Sequence, residues 1–166
     1  DTHLAAMGIP VYISAKSDLA AQSAMRLIIS ACRVAAYGWK REDVISCAKT
    51  ALTGLSAQQC DALEKYADKW RLRGKKAFCC EGWNMNPDGY TDRLSPWGAE
   101  LLALANDARD ILIPPIEELS YHLKGTVREA AEAVFKLLCD FSVYPQIKEE
   151  AARLRREGRG AAAQEK

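Results

Sequence analysis

The stretch SPWGAELLALANDARDIL, residues 95–112, decides the fold. Its apolar residues recur every three or four positions, which is the spacing of one buried face of an α-helix. The residues on that face are Leu101, Leu104, Ala108 and Leu112. Ser95 is a good N-cap and Pro96 suits the first turn, so the helix is predicted to begin there. Pro114-Pro115 is predicted to break or kink it, because proline removes a donor and clashes one turn back.

Helical spacing continues on both sides of this segment. Before it, helices are predicted over 17–37, 44–51 and 56–74, the last opened by a capping box of Ser56 and Gln59. After it, the pattern resumes over 116–123 and 126–141, the latter opened by a second capping box of Thr126 and Glu129. The face predicted to be buried there carries Val127, Ala130, Val134, Leu137 and Phe141. Pro145 opens a final charged helix, in which Glu149 and Arg153 are expected to pair.

The remaining segments complete the predicted architecture. Residues 9–13 (IPVYI) are the one convincing strand, with proline placed as in an edge strand. Residues 75–94 show no sustained period and are predicted to form an irregular loop, of a length usually tied to function or disorder. The fold class predicted is all-α: an irregular bundle of six or seven helices with one short strand near the N-terminus. We expect a single helical domain over 1–157 and a flexible tail over 158–166, together forming a fragment excised from a larger chain.

Composition limits the classes of function. With 166 residues and 49% apolar side chains, the chain can form one real hydrophobic core. The net charge of +1, from 23 basic and 22 acidic side chains, gives no global reason for binding nucleic acid, so any basic site must be local. The apolar runs are far shorter than the ~20 residues that a membrane span needs. We therefore expect a cytoplasmic protein without membrane contact.

The six cysteines lack the spacing of a zinc site. Four of them fall on apolar faces of predicted helices, where a free thiol behaves as a small hydrophobe; these are Cys32, Cys47, Cys60 and Cys139. The adjacent pair Cys79-Cys80 leaves a small thiol or metal enzyme as the least favoured alternative, since neighbouring ligands are missing.

Groups that could form a catalytic site are few. His3 and His122 lie on amphipathic helices without a partner at the spacing of a triad. Glu117-Glu118 and Glu149-Glu150 have the pattern of solvated helix faces rather than of acid–base pairs. The sequence also lacks a phosphate-binding P-loop motif. The segment itself is predicted to be non-catalytic, with no metal and no cofactor of its own.

Two segments could contact a phosphate backbone. In KTALTGLS at 49–56, a Gly-containing turn runs into a capped helix, whose N–H groups and dipole favour an anion. Its candidate DNA-binding residues are Lys49, Thr50, Gly54, Leu55 and Ser56. In KWRLRGKK at 69–76, five cations flanked by aromatic residues suit a nucleic-acid surface. Its candidates are Arg71, Arg73, Lys75 and Lys76. Taken alone, the first segment is better explained by helix capping, whereas the preference of cations for helix C-termini explains the second segment equally well.

The order of short segments resembles a known family. GIPVYI at 8–13 resembles the strand that enters the 2B domain of UvrD-like superfamily 1 helicases. GWKREDV at 38–44, KTALTGLS at 49–56, DALEKY at 61–66 and RLRGKK at 71–76 then follow in the order typical of AddB, the second subunit of the AddAB-type ATP-dependent helicase/deoxyribonucleases. The resemblance is good over 4–76 and weaker beyond about residue 95.

This resemblance implies a 2B-like domain of a heterodimeric machine that unwinds and resects DNA at double-strand breaks for recombinational repair. ATP, Mg²⁺ and an iron–sulfur cluster would then be bound in other domains of the parent proteins, and the cluster is not carried over to Cys79 or Cys80. By the same resemblance, Gly54, Leu55 and Ser56 stand at a helix–turn element that grips the duplex backbone.

Three classes of function remain open at this point. The first is a non-catalytic structural and DNA-handling domain of AddB. Its main alternative is a helical interaction module that packs against the partner AddA, or against other domains of the parent chain, without contacting DNA. Exposed Trp39, Trp83 or Trp97 would favour that alternative. The second class is a free-standing helical adaptor unrelated to repair, and the third is a small thiol or metal enzyme.

Overall fold

The computed structural model describes residues 22–157, and within them the chain is all α-helical. The helices of this range are α1 (Ser23–Ala36), α2 (Arg41–Ala48), α3 (Ala57–Lys69), α4 (Lys75–Phe78), α5 (Pro96–His122), α6 (Val127–Asp140) and α7 (Val143–Arg156). The predicted all-α class is therefore confirmed. The predicted strand at 9–13, the start of the first helix at Ser17, His3 and the tail at 158–166 lie outside the described residues. Between residues 22 and 157, no helix is both long and apolar enough to cross a membrane.

Helix α5 is the element against which the others pack. Its start is as predicted, because Ser95 Oγ accepts a hydrogen bond from the Gly98 N–H at 3.0 Å and Pro96 occupies the first turn. Helices α1, α3 and α6 cover one face of α5. The main buried residues of that face are Leu101, Ala105, Ala108, Leu112, Ile116 and Leu119. Burial of this aliphatic surface, at about 25 cal/mol per Å² of apolar area, is the main favourable term in folding the bundle.

The Pro114-Pro115 pair does not break α5, which runs through both prolines. The carbonyls that lose their helical donors belong to Asp110 and Ile111, which are exposed, so water can solvate them. Leu112 before the pair and Ile116 after it are both fully buried in the same core. Burial on both sides of the prolines thus stabilises one continuous helix.

Both predicted capping boxes are confirmed. Ser56 Oγ accepts from the Gln59 N–H at 3.2 Å, and Gln59 Oε1 accepts from the Ser56 N–H at 2.9 Å. Thr126 and Glu129 form the same reciprocal pair at the start of α6. The hydrogen bonds from Thr126, chiefly the one from its backbone N–H, lower the pKa of the Glu129 carboxyl.

The predicted buried face of α6 is wrong in part. Leu137 and Phe141 are buried, but Val127 is 88% exposed. Ala133 is buried as well, and Val134 of the predicted face is partly buried against the core, so the prediction fails at Val127, the first residue of the helix. Cys139, which was predicted to lie on an apolar face, is likewise exposed. An apolar side of α6 is therefore left in contact with solvent.

Residues 75–94 are more ordered than predicted. They open with α4, and side chains of α5 then hold the segment 79–95, called here the 79–95 loop. Arg109, buried at 7% exposure, donates to the carbonyls of Cys80 and Glu81, each at 2.8 Å. The Asn106 amide accepts from the Trp83 N–H at 2.8 Å and donates to the Trp83 carbonyl at 3.0 Å. These contacts give the loop backbone the partners that a neighbouring strand would supply.

The three tryptophans whose exposure bears on a protein-interaction role differ in burial, and one predicted ion pair is corrected. Trp39 and Trp83 are core residues at 2% and 6% exposure, whereas Trp97 is 56% exposed. In α7 the predicted partner of Arg153 was Glu149. Arg153 instead contacts Glu150 at 2.7 Å, one residue along the same exposed face.

We expect Arg109→Met to lower the free energy of unfolding by about 2–3 kcal/mol, because two loop carbonyls lose a charged donor on α5. Chemical denaturation measures the change, and hydrogen exchange should show faster exchange within the 79–95 loop. Arg128→Met, at an exposed position of α6, is the matched control and should change stability by less than about 0.5 kcal/mol. Equal stabilities of the two variants would show that the Arg109 contacts do not hold the loop.

Candidate nucleic-acid interface

The polar side chains of the 49–56 segment bond mainly within the protein. Thr50 Oγ1 donates to the Cys47 carbonyl at 2.8 Å, and Thr50 is buried. Lys49 Nζ lies 2.6 Å from Glu64 Oε2, which neutralises its charge. Ser56 is occupied by its capping box. This segment therefore presents less positive charge than its sequence indicates.

The turn in this segment has the backbone geometry that its glycine predicts. Gly54 is exposed with φ +75°, a conformation that glycine adopts without steric cost, and Leu55 is half-buried against the core. The surface between α2 and α3 that adjoins it is lined by carboxylates as well as cations; the carboxylates are Glu42, Asp61, Glu64 and Asp68. These charges separate the 49–56 turn from the second basic segment.

The second segment, 71–76, splits into two groups. Arg71 and Arg73 are exposed on a turn, on either side of buried Leu72, whose N–H donates to the Ala67 carbonyl at 3.0 Å. Gly74 closes the turn with φ +76°. Arg71 itself has φ +48°, a strained value for a side chain of this kind. The turn thus projects two arginines from a buried leucine anchor.

Lys75 belongs to a different surface. Its Nζ lies 3.1 Å from Glu117 Oε1, 3.4 Å from Ser120 Oγ and 3.8 Å from the centre of the Tyr121 ring. Partial burial would lower the Lys75 pKa, but hydrogen bonds and charge at Tyr121 and Glu117 outweigh it and raise that pKa. Lys75 is therefore bound to α5, while Lys76 stays exposed on α4.

The exposed arginines face a cation that the sequence analysis missed. Residues 37–42, Asp68 and residues 71–74 line one cleft of about 640 Å³, in which Lys40 lies with Arg71 and Arg73. The Gly74 N–H donates to the Trp39 carbonyl at 3.2 Å and joins the two walls. Tertiary contacts place Lys40 beside the arginines, since more than thirty positions separate them in sequence. We call this feature the basic cleft.

Of the four cations that line the basic cleft, one is paired with carboxylates of the described residues and three are not. Arg41 contacts Asp68 at 2.5 Å and Glu42 at 3.3 Å, so it is neutralised. Lys40, Arg71 and Arg73 form no ion pair with any residue of the 22–157 range. Lys40 is also the N-cap of α2 and makes no side-chain capping bond, so the positive end of that helix lies in the cleft wall. The arrangement attracts an anion.

The cysteines show no reactive arrangement in the described range. Residues 22–157 hold no group of three or more potential metal ligands. Burial, with a smaller effect of the Glu117 charge, raises the pKa of Cys79 to about 12. A reactive cysteine needs the opposite shift, since the thiolate is the nucleophile. Cys47 is buried with its pKa also raised to about 12, and Cys32 and Cys60 are half-buried, in keeping with packing roles.

We expect iodoacetamide at neutral pH to alkylate exposed Cys80 and to spare Cys79, because a pKa near 12 leaves almost no thiolate on the latter. The rates should differ by roughly a hundredfold or more, as measured by peptide mass mapping over time. Exposed Cys139 is the internal control for a reactive position. Alkylation of Cys79 at the rate of Cys80 would return the thiol-enzyme alternative to consideration.

Comparison with known proteins bears on the identity of the chain. No protein-family model matches it. It is 29% identical over 154 residues to the AddB subunit of the ATP-dependent helicase/deoxyribonuclease of Acetivibrio thermocellus, covering 91% of this chain and 13% of that protein. The protein of the same name from Clostridium kluyveri is 29% identical over 85% of the chain, and that from Bacillus subtilis is 26% identical over 95%.

The similarity covers far more of the chain than the 4–76 region of the predicted resemblance. The chain nevertheless spans only 13–14% of the length of these relatives. It is thus similar, over most of its own length, to one segment of the AddB subunits of ATP-dependent helicase/deoxyribonucleases, as the order of its sequence motifs predicted.

Proposed function

We propose that the chain is a non-catalytic, DNA-handling domain of an AddB-type subunit of an ATP-dependent helicase–nuclease that acts in double-strand break repair by homologous recombination. The observation that carries the proposal is the basic cleft, with three cations that have no acidic partner in the described range. The names of the relatives, helicase/deoxyribonuclease, give the class of ligand that such a cleft would meet. ATP, Mg²⁺ and an iron–sulfur cluster would be bound by other parts of the parent proteins.

The cleft suits the phosphate backbone rather than the bases. Lys40, Arg71 and Arg73 can each neutralise one phosphate, and the first-turn N–H groups of α2 add partial positive charge. Contacts of this type position a nucleic acid and carry no sequence information. In a machine that moves along DNA, such contacts guide the strand while motor and nuclease domains act elsewhere. The Gly54–Ser56 turn and Lys76 remain a second predicted contact, with Lys49, Thr50 and Lys75 engaged inside the domain.

We expect the triple substitution Lys40→Ala, Arg71→Ala, Arg73→Ala to weaken binding to a fluorescently labelled duplex with a single-stranded tail by at least tenfold. The slope of log affinity against log salt should fall by about 2–3, since each phosphate contact on a duplex contributes about 0.9. Fluorescence anisotropy across a salt series measures both quantities.

A charge-matched control removes three exposed cations from α5–α7 and their connection: Lys124→Ala, Arg128→Ala, Lys148→Ala. This control should retain affinity and slope. If both triple variants lose affinity equally, the binding is diffuse electrostatics and not the cleft. If the unaltered chain binds no DNA at micromolar concentration and low salt, direct DNA contact by this domain is excluded.

A second candidate function has a specific observation in its favour. The exposed side of α6 carries four apolar residues at successive i,i+4 positions, Val127, Ala131, Phe135 and Cys139. Val127 and Phe135 are 88% and 69% exposed. Contiguous apolar surface of this kind marks sites of protein–protein contact. It suits an interaction module that packs against the partner AddA or another domain of the parent chain.

We expect Val127→Ser combined with Phe135→Ser to leave the unfolding free energy of the isolated chain within about 0.5 kcal/mol, because both positions are exposed. In the full-length parent protein, the same pair should reduce co-purification of AddA. Ile29→Ser on α1, at 43% exposure, is the control and should leave assembly intact. Normal assembly of the double variant would rule out this side of α6 as the contact with AddA.

A further inference from the structure

The tip of the 79–95 loop presents an aromatic side chain that the bundle does not use. Tyr90 is 98% exposed. The backbone around it is fixed, because Asn86 Nδ2 donates to the Thr91 and Arg93 carbonyls at 2.8 and 2.9 Å. Asp88 accepts from the N–H and hydroxyl of Ser95 at 2.6 and 2.9 Å. An exposed aromatic ring is therefore held at a defined place.

Tyr90 lies beside the basic cleft. Its ring meets the Trp70 ring edge to face, with centroids 5.4 Å apart and an interplanar angle of 88°. Trp70 directly precedes Arg71, which lines the cleft. The Trp70 Nε1 is enclosed and has no hydrogen-bond partner in the described structure. Trp70 thus contacts the tyrosine at one place, and the Tyr90 side chain otherwise remains open to solvent.

The charges around the ring are predominantly positive. Lys69 Nζ lies 3.5 Å from the position that a Cβ would occupy on Gly89, the residue before Tyr90. Arg71 directly follows Trp70 and Arg93 comes three residues after Tyr90, and both arginines are exposed. The one exposed carboxylate of the turn is Asp92, since Asp88 is bound to Ser95. Cations next to an open aromatic face are the combination that binds single-stranded nucleic acid.

We propose that Tyr90 is a stacking site for an unpaired base of single-stranded DNA, with Lys69, Arg71 and Arg93 contacting the flanking phosphates. This inference rests on the proposed function and deepens it, since it names a single strand rather than a duplex as the ligand beside the basic cleft. Bases of a duplex have both faces covered by their neighbours, so only an unpaired base can stack on the ring. Stacking on an aromatic side chain tolerates any base, which suits a strand of changing sequence.

The test compares Tyr90→Ala, Tyr90→Phe and the control Tyr144→Ala, which removes another exposed tyrosine, from α7. The probes are a labelled single-stranded oligothymidylate, its duplex with oligoadenylate, and an oligothymidylate with 2-aminopurine at its centre. Tyr90→Ala should weaken single-strand binding on the order of tenfold and leave duplex binding unchanged. Tyr90→Phe should keep the affinity, because it keeps the ring. The 2-aminopurine fluorescence should change on binding to the unaltered chain but not to Tyr90→Ala.

The outcomes separate this inference from the proposed function. If the cleft triple variant loses DNA affinity while Tyr90→Ala behaves like Tyr144→Ala on every probe, stacking is overturned and the DNA-handling proposal stands. Loss of single-strand and duplex affinity alike in Tyr90→Ala also overturns stacking, because it indicates a general loop defect. If the unaltered chain binds none of the probes, both proposals fall.

Discussion

Burial of one face of α5 is the constraint on which the rest of the structure depends. Helices α1, α3 and α6 all pack on that face, and one continuous core joins them. The same helix supplies Arg109 and Asn106 from its flank, so it also fixes the 79–95 loop. The free energy that drives collapse of the bundle and the hydrogen bonds that order its longest loop thus come from one element.

The basic cleft depends on a second and smaller constraint. Buried Trp39 and Leu72 anchor two turns that lie far apart in sequence, and one backbone hydrogen bond from Gly74 joins them. Lys40 is next to Trp39 in sequence, and Arg71 and Arg73 are on either side of Leu72. Burial of the two apolar anchors therefore keeps these three cations at the surface, where they form no ion pair within the 22–157 range. Arg41 shows the contrast, since Asp68 lies within reach of it on α3 and neutralises it. Position relative to a carboxylate, more than residue type, decides which cations are available to a ligand.

Local chemistry in the sequence predicted the helix starts well. The Ser56 and Thr126 capping boxes and the Ser95-Pro96 start depend on neighbours within three or four residues, so the sequence alone contains them. The continuity of α5 through its prolines was not predictable in this way, because it depends on burial against other helices. The same holds for the site. Arg71 and Arg73 are predictable because they belong to a basic run in the sequence. Lys40 is brought beside them by tertiary structure. Lys75, from the same run, instead pairs with Glu117 of α5. Helical periodicity also assigned Val127 to the buried face of α6, although it is exposed, since apolar residues lie on more than one side of that helix.

The way the 79–95 loop is held has a consequence for how this surface can change in evolution. Its attachment points, at Cys80, Glu81 and Trp83, are main-chain groups bound by side chains of α5. Main-chain carbonyls and N–H groups are the same whichever residues the loop carries, so substitutions at the tip leave the attachment unchanged. The same helical bundle can therefore carry different side chains at the tip of the 79–95 loop, while α5 holds the loop in the same way. Selection for a new ligand would act on the exposed tip residues 90–93, while the side chains of Asn86 and Asp88 continue to hold the turn.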